Sequence, residues 1–209
     1  MIEGIQVLCH SSIRIEKEKI IYIDPFKIEE KYNDADVIFI THSHWDHYSL
    51  EDINKVRKEN TMFVATQDVC LKLLEEGINE KNIFKVEPNK DYVVEGIKCE
   101  TIPAYNPSKE FHPKENNWVG YIITLEDIRY YIAGDTDITE ENLKVKCDVA
   151  LVPVGGKYTM DYNEAAKLVN VIKPKVAIPT HYGEIVGNKS DGKNFTELLD
   201  STIKEVELI

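Results

Sequence analysis

Residues 41 to 47 read Thr41-His42-Ser43-His44-Trp45-Asp46-His47, which puts three histidines and an aspartate within six consecutive positions. Neutral imidazoles plus a carboxylate make up the nitrogen and oxygen donor set that zinc prefers and that iron and manganese also accept. Crowded together without a cation, these groups would give up water for little return. The cluster therefore points to a bound divalent metal. The plain alternative is a polar turn at a strand end, its histidines facing solvent.

Such a cluster needs a rigid support. The run Asp36-Val-Ile-Phe-Ile-Thr-His42 leads into it, and two similar runs follow, Asp148-Val-Ala-Leu-Val-Pro-Val154 and Lys175-Val-Ala-Ile-Pro-Thr-His181. Each is nearly continuous in apolar residues, as expected of a strand buried on both faces. Two of the three deliver a histidine at the end, and ligands at strand ends suit a preorganised site. Short runs rich in Ile, Val and Tyr predict strands over 5–9, 20–23, 37–40, 62–65, 92–94, 97–102, 118–125, 128–133, 149–152 and 176–178. Leu125-Glu-Asp-Ile128 reads as a hairpin turn. Ser49 with Asp52 three residues on predicts a helix start, as does Asp161 with Glu164. Further helices are expected over 68–76, stopped by Gly77, and over 195–204. No linker or low-complexity segment interrupts the chain, so a single domain over 1–209 is expected. The longest stretch without periodicity, 103–117, holds three prolines, Lys109, Phe111, His112 and Lys114. Loops of that length in compact domains are often functional.

The cluster resembles the HxHxDH motif of the metallo-β-lactamase superfamily. Further landmarks extend the likeness along almost the whole chain: Asp24 in Tyr22-Ile23-Asp24-Pro25, Asp135 in Ala133-Gly134-Asp135-Thr136, and His181 in Pro179-Thr180-His181-Tyr182-Gly183. The compact prokaryotic branch grouped with the L-ascorbate phosphate lactonases is the most similar. The resemblance implies an α+β fold, a four-layer αβ/βα sandwich of two mixed sheets flanked by helices, with a two-metal site at one edge. It implies that His42 and His44 bind a first metal, that Asp46, His47 and His181 bind a second, and that Asp135 bridges them with its two oxygens. Asp24 is expected behind a ligand, accepting the other N–H of a metal-binding histidine.

One position departs from the pattern. Where most superfamily members carry another histidine ligand, the chain reads Ile102-Pro103-Ala104-Tyr105-Asn106-Pro107, with Asn106 in the histidine's place. His112 could swing in as the ligand or serve as a proton donor. Asn106 could offer its carbonyl oxygen, which would shift preference from zinc toward manganese or iron, or the first metal could be loosely held. The cofactors implied are two divalent ions, Zn2+ first, Mn2+ or Fe2+ otherwise. Such ions lower the pKa of a bound water from 15.7 toward ~7 and supply hydroxide for attack on a carbonyl carbon or phosphorus. Asp46, His112 or a metal-held water is then the proton donor. A small phosphorylated, lactone or ester substrate is the expectation. A di-iron redox module and a non-catalytic, regulatory metal-binding protein are the competing readings. The turn Gly155-Gly156-Lys157-Tyr158-Thr159 reads either as an anion cradle or as a tight strand-to-helix turn. Tyr105, Trp118, Tyr158 and Tyr182 are candidates for lining a pocket or for packing.

The chain has 209 residues and a net charge of −12. That balance opposes an extended grip on nucleic acid, which works by neutralising phosphates with Lys and Arg; an anionic small molecule held by metal ions is still compatible with it. The N-terminal residues lack the basic and apolar segments of a signal peptide. No run approaches the ~18 apolar residues of a membrane helix. A cytoplasmic location is expected, with homo-oligomerisation left open. Cys9, Cys70, Cys99 and Cys147 stand far apart with no CxxC, and are expected to be plain thiols.

Overall fold

The computed structural model describes residues 1–206. Two mixed sheets face each other. The first runs in chain order, β1 (Ile5–Cys9), β2 (Ser12–Glu16), β3 (Ile20–Ile23), β4 (Ala35–Ile40), β5 (Arg57–Ala65) and β6 (Ile83–Lys85). Its first three strands are antiparallel and β3 to β6 are parallel. The second sheet repeats the plan: β7 (Asp91–Val94), β8 (Ile97–Pro103), β9 (Val119–Leu125) and β10 (Ile128–Ile132) form an antiparallel meander. The strands β11 (Val149–Pro153), β12 (Val176–Thr180) and β13 (Lys204–Glu205) then add in parallel. The parallel connections need crossovers, and four of them run through helices. These are α1 (Leu50–Val56) and α2 (Gln67–Glu75) on the outer face of the first sheet, and α3 (Tyr162–Ile172) and α4 (Asp191–Thr196) on that of the second.

The near-continuous apolar runs have the expected cause. In β4, Val37 and Phe39 face the other sheet while Ile38 and Ile40 face α1 and α2. In β11, Val149 and Leu151 face inward and Ala150 and Val152 lie against α3. Period-two alternation is intact, but both faces are covered, so both are apolar. One tie crosses the central layer just beneath the end of β4: the Tyr121 hydroxyl, fully buried on β9, lies 2.9 Å from the Ile40 carbonyl and 3.2 Å from that of Val64.

Local signals also hold. The Ser49 hydroxyl accepts the Asp52 N–H, and Asp161 with Glu164 forms a full capping box on α3. Glu126 and Asp127 both take positive φ in the β9–β10 turn, as a tight hairpin requires. The C-terminal expectation does not hold. In place of a helix over 195–204, α4 ends at Thr196, turns follow, and Lys204 opens β13 beside Val176. Phe195 is the buried anchor of α4, and Ile203 is buried just before the strand, its N–H bonded to the Asp200 carbonyl. A turn plus parallel pairing to β12 outweighs helical periodicity there. Strands β2, β6 and β13 were also not anticipated. All four cysteines are free. Among the described residues, no helix is long and apolar enough to cross a membrane.

Candidate metal centre

The predicted site residues converge at one edge of the sandwich, where parallel strands end. The segment after β4 carries His42, His44, Asp46 and His47; Asp135 follows β10, His181 follows β12, and His112 comes from the β8–β9 loop. Three triplets of donor atoms, each within 4.8 Å, lie side by side: His42, His44 and His112; His42, His47 and Asp135; and His10, Asp46 and His181. Asp135 stands between the flanks. Its Oδ2 is 3.2 Å from His112 Nε2 and 3.1 Å from His181 Nε2, and its Oδ1 is 3.2 Å from His47 Nε2. Asp46 Oδ2 lies 3.7 Å from His181 Nε2 and 3.8 Å from His47 Nε2.

The tautomers are set from behind. Asp24, left-handed at φ 46° and almost wholly buried, accepts the Thr41 N–H at 2.8 Å and the Thr41 hydroxyl at 2.7 Å. Its Oδ2 is 2.7 Å from His47 Nδ1, so that nitrogen carries a proton and Nε2 turns inward. Thr41 Oγ1, its own proton given to Asp24, accepts from His42 Nδ1 at 3.0 Å. Asn106 does the same for His112. The Asn106 amide donates to the Tyr158 carbonyl at 3.0 Å, which fixes its orientation, and its Oδ1 is 2.8 Å from His112 Nδ1. An amide oxygen only accepts, so His112 Nδ1 is the N–H and Nε2 faces Asp135. The structure thus brings His112 into the cluster and stands Asn106 behind it.

The inward atoms have no hydrogen-bond partners. His42, His47, His112 and His181 Nε2 and Asp135 Oδ1 are all buried and unsatisfied. Buried polar groups without partners are costly and uncommon, and so many pointing at one spot fit a cation that would accept their lone pairs. Electrostatics splits the cluster. Burial holds His42 well below the usual histidine range, and burial followed by His112 lowers His44. On the other side, burial opposes charge but the carboxylates outweigh it: Asp135 and Asp24 hold His47 well above the normal range, and Asp135 raises His181. Asp135 and Asp46, despite burial, are held well below ordinary carboxylates by the surrounding imidazoles.

The sequence reading missed His10. It sits in the turn after β1, fully buried, with neither ring nitrogen hydrogen-bonded. Its ring lies 3.7 Å from that of His181, its Nε2 is 3.3 Å from Asp46 Oδ2, and its carbonyl accepts the His181 N–H at 2.9 Å. Burial pushes it down to about 4. His10 and His181 both take left-handed backbone, at φ 56° and 58°. The available signal was a third strand ending in histidine.

A cleft of about 310 Å3 opens onto the centre, with Trp45, Phe111, Tyr158 and Ile185 beside the cluster residues. Of the four aromatic candidates, only Tyr158 lines it. Trp118 packs its ring 4.8 Å from His42 and 4.7 Å from His44, and donates its indole N–H to Asp68. Tyr105 bonds Glu141, and Tyr182 is buried. The turn at 155–159 resolves as a tight turn: the Gly156 N–H bonds the Met160 carbonyl, and those of Tyr158 and Thr159 bond the Gly156 carbonyl.

A family model described as a β-lactamase superfamily domain matches residues 4–181. A UPF0173 metal-dependent hydrolase from Pyrococcus horikoshii is 31% identical over 98% of this chain and 95% of its own length. One from Thermococcus onnurineus is 32% identical over 93% and 91%. Among solved structures, a provisionally named metal-dependent hydrolase from Parabacteroides distasonis superposes with a TM-score of 0.82 at 29% identity, covering 97% of this chain and 91% of that one. A metallo hydrolase from Ignicoccus hospitalis gives a TM-score of 0.77 at 23% identity over 97% and 94%, a likeness of fold.

Proposed function

Because this chain belongs to the β-lactamase superfamily, and within it to the UPF0173 metal-dependent hydrolases, we propose that it hydrolyses a small phosphorylated, lactone or ester substrate with two divalent ions. His42, His44 and His112 would hold the first ion, and Asp46, His47 and His181 the second, with Asp135 shared by both. The observation that carries this reading is the convergence of unpartnered, buried Nε2 atoms on the two oxygens of Asp135. Zinc suits the all-imidazole first flank; manganese or iron would suit the more oxygen-rich second.

When bound, the ions activate water at neutral pH and polarise the substrate oxygen. The chain's own residues do the rest. Asp24, Thr41 and Asn106 fix ring orientation. Trp118 walls the first flank. Asp46 lines the cleft and would be the carboxylate that passes a proton to the leaving group, although the surrounding imidazoles, by holding it ionised, make it a ready ligand and a weak base. With its Nδ1 bonded to Asn106, His112 is better placed as a ligand than as the proton donor.

The test is metal content and turnover of the wild type beside Asp135→Ala. The expected result is two ions per chain in the wild type, loss of both in the variant, and a fall in activity on the order of 10³-fold. Unchanged metal and activity in Asp135→Ala would refute the assigned site. Two iron ions with visible absorption would favour redox chemistry, and bound metal without turnover a regulatory role.

A further inference from the structure

The cleft over the metal centre has an uneven lining. Five of its nine residues belong to the candidate centre, and the other four are Trp45, Phe111, Tyr158 and Ile185. Trp45 is 64% exposed, Phe111 44% and Ile185 36%. Single exposed apolar side chains are ordinary, but three around one opening mark a binding surface. The aromatic pairs are braced from outside: Phe26 meets Trp45 edge-on at 5.4 Å, and Phe111 meets Tyr158 edge-on at 4.7 Å. Two aromatic walls thus flank the centre, one from the segment after β4 and one shared by the β8–β9 and β11–α3 connections.

Cationic receptors for an anion are absent from this lining among the described residues. Among the described residues, no lysine or arginine lines the cleft. The nearby cations are engaged: Lys109 with Asp137 and the Thr159 carbonyl, Lys27 with Glu184, and Lys157 over the outer ring of Tyr158. In the glycine turn at 155–159, the N–H groups of Gly156, Tyr158 and Thr159 are spent on the Met160 and Gly156 carbonyls. A phosphorylated substrate would meet no cationic side chain beyond the ions, only the neutral donors of Trp45 and Tyr158, in a protein of net charge −12. A neutral group with an aromatic or branched apolar part would find a preformed seat, and 310 Å3 is room for one small substrate.

Resting on the metal-hydrolase reading, we propose that the substrate is a neutral carboxylic ester, open or cyclic, whose aromatic or branched apolar substituent seats between Trp45 and Phe111. In its hydrolysis the oxygen of water bonds to the carbonyl carbon and the ester C–O bond breaks. One proton of the water goes to the leaving alcohol and the other is released with the carboxylate. Nothing is oxidised or reduced.

The experiment compares 4-nitrophenyl phenylacetate, 4-nitrophenyl acetate and 4-nitrophenyl phosphate with the metal-loaded protein. The expected order of kcat/KM is phenylacetate above acetate by about tenfold, with phosphate lowest. Trp45→Ala and Phe111→Ala should bring the phenylacetate-to-acetate ratio close to one, mainly through KM, with metal content retained. Phosphate preferred over phenylacetate, or a ratio that either variant leaves intact, overturns the proposal. A parallel titration of metal-free protein uses benzyl methyl ketone, a neutral aromatic probe with no bond to hydrolyse, and follows the Trp45 indole proton resonance. Saturable shifts with the ketone but not with phenyl phosphate support the proposal, and the reverse overturns it. Rates unchanged by a chelator would count against the metal-hydrolase reading, while the ketone titration still decides what the cleft accepts.

Discussion

The two flanks of the metal centre are made of different chemistry. The flank of His42, His44 and His112 presents only imidazoles, and burial holds His42 and His44 in the neutral form that a metal needs. The flank of Asp46, His47 and His181 mixes carboxylate with imidazole, and there the carboxylates outweigh burial, holding His47 well above the normal range and raising His181. On binding an ion, the second flank would release more protons than the first. Asp135, placed between them, thus faces two sets of histidines shifted in opposite directions.

Single ligand removals should have the largest effect. His112→Ala and His181→Ala should each lower metal content from two ions to one and turnover on the order of 10²–10³-fold, by elemental analysis and steady-state kinetics. If either variant loses both ions, the flanks act as one unit and the comparison breaks. Next comes pH. His47 and His181 are raised and His42 and His44 lowered, so an entering ion should displace more protons from the second flank than from the first. From pH 8 to 6 the affinity of the second flank should fall on the order of tenfold per pH unit for each displaced proton, and that of the first more shallowly. Calorimetry in two buffers of different ionisation enthalpy counts those protons, and equal release at both flanks would contradict the assignment. Smaller effects are expected behind the ligands: Asp24→Asn should weaken the second ion about 10–100-fold and, through Thr41 and His42, the first to a lesser degree, whereas Asn106→Ala should weaken the first alone by about tenfold. Smallest is Tyr121→Phe, which should cost about 1 kcal/mol in denaturant unfolding of the metal-free chain and leave both ions bound.

The legible parts of the site were those in which several signals coincide. His42 to His47 crowd into one segment after a run buried on both faces, and Asp135 and His181 sit in distinct motifs at strand ends. The sandwich followed from the superfamily likeness that those motifs carry, while the runs themselves gave only strands buried on both faces. His10 was hidden because it stands alone after a five-residue strand, and its burial against His181 depends on the two sheets meeting. The role of Asn106 was equally hidden: an asparagine in place of a histidine reads as loss, and only the chain path through 106–112 turns it into a brace for His112. The α4–β13 boundary failed because parallel pairing to β12 is a long-range term that no local periodicity encodes.

His10 and His181, joined through their backbones, both occupy left-handed conformations that cost a non-glycine residue about 1–2 kcal/mol. Glycine at either position would relax the chain, yet it would remove the imidazole of His181 from the centre or that of His10 from its place against His181 and Asp46, and histidine stands there instead. Selection for heat resistance and selection for turnover should therefore pull these two positions in opposite directions. A laboratory population evolved for thermal survival alone should lose His10 or His181 early, and one held to catalysis should keep both.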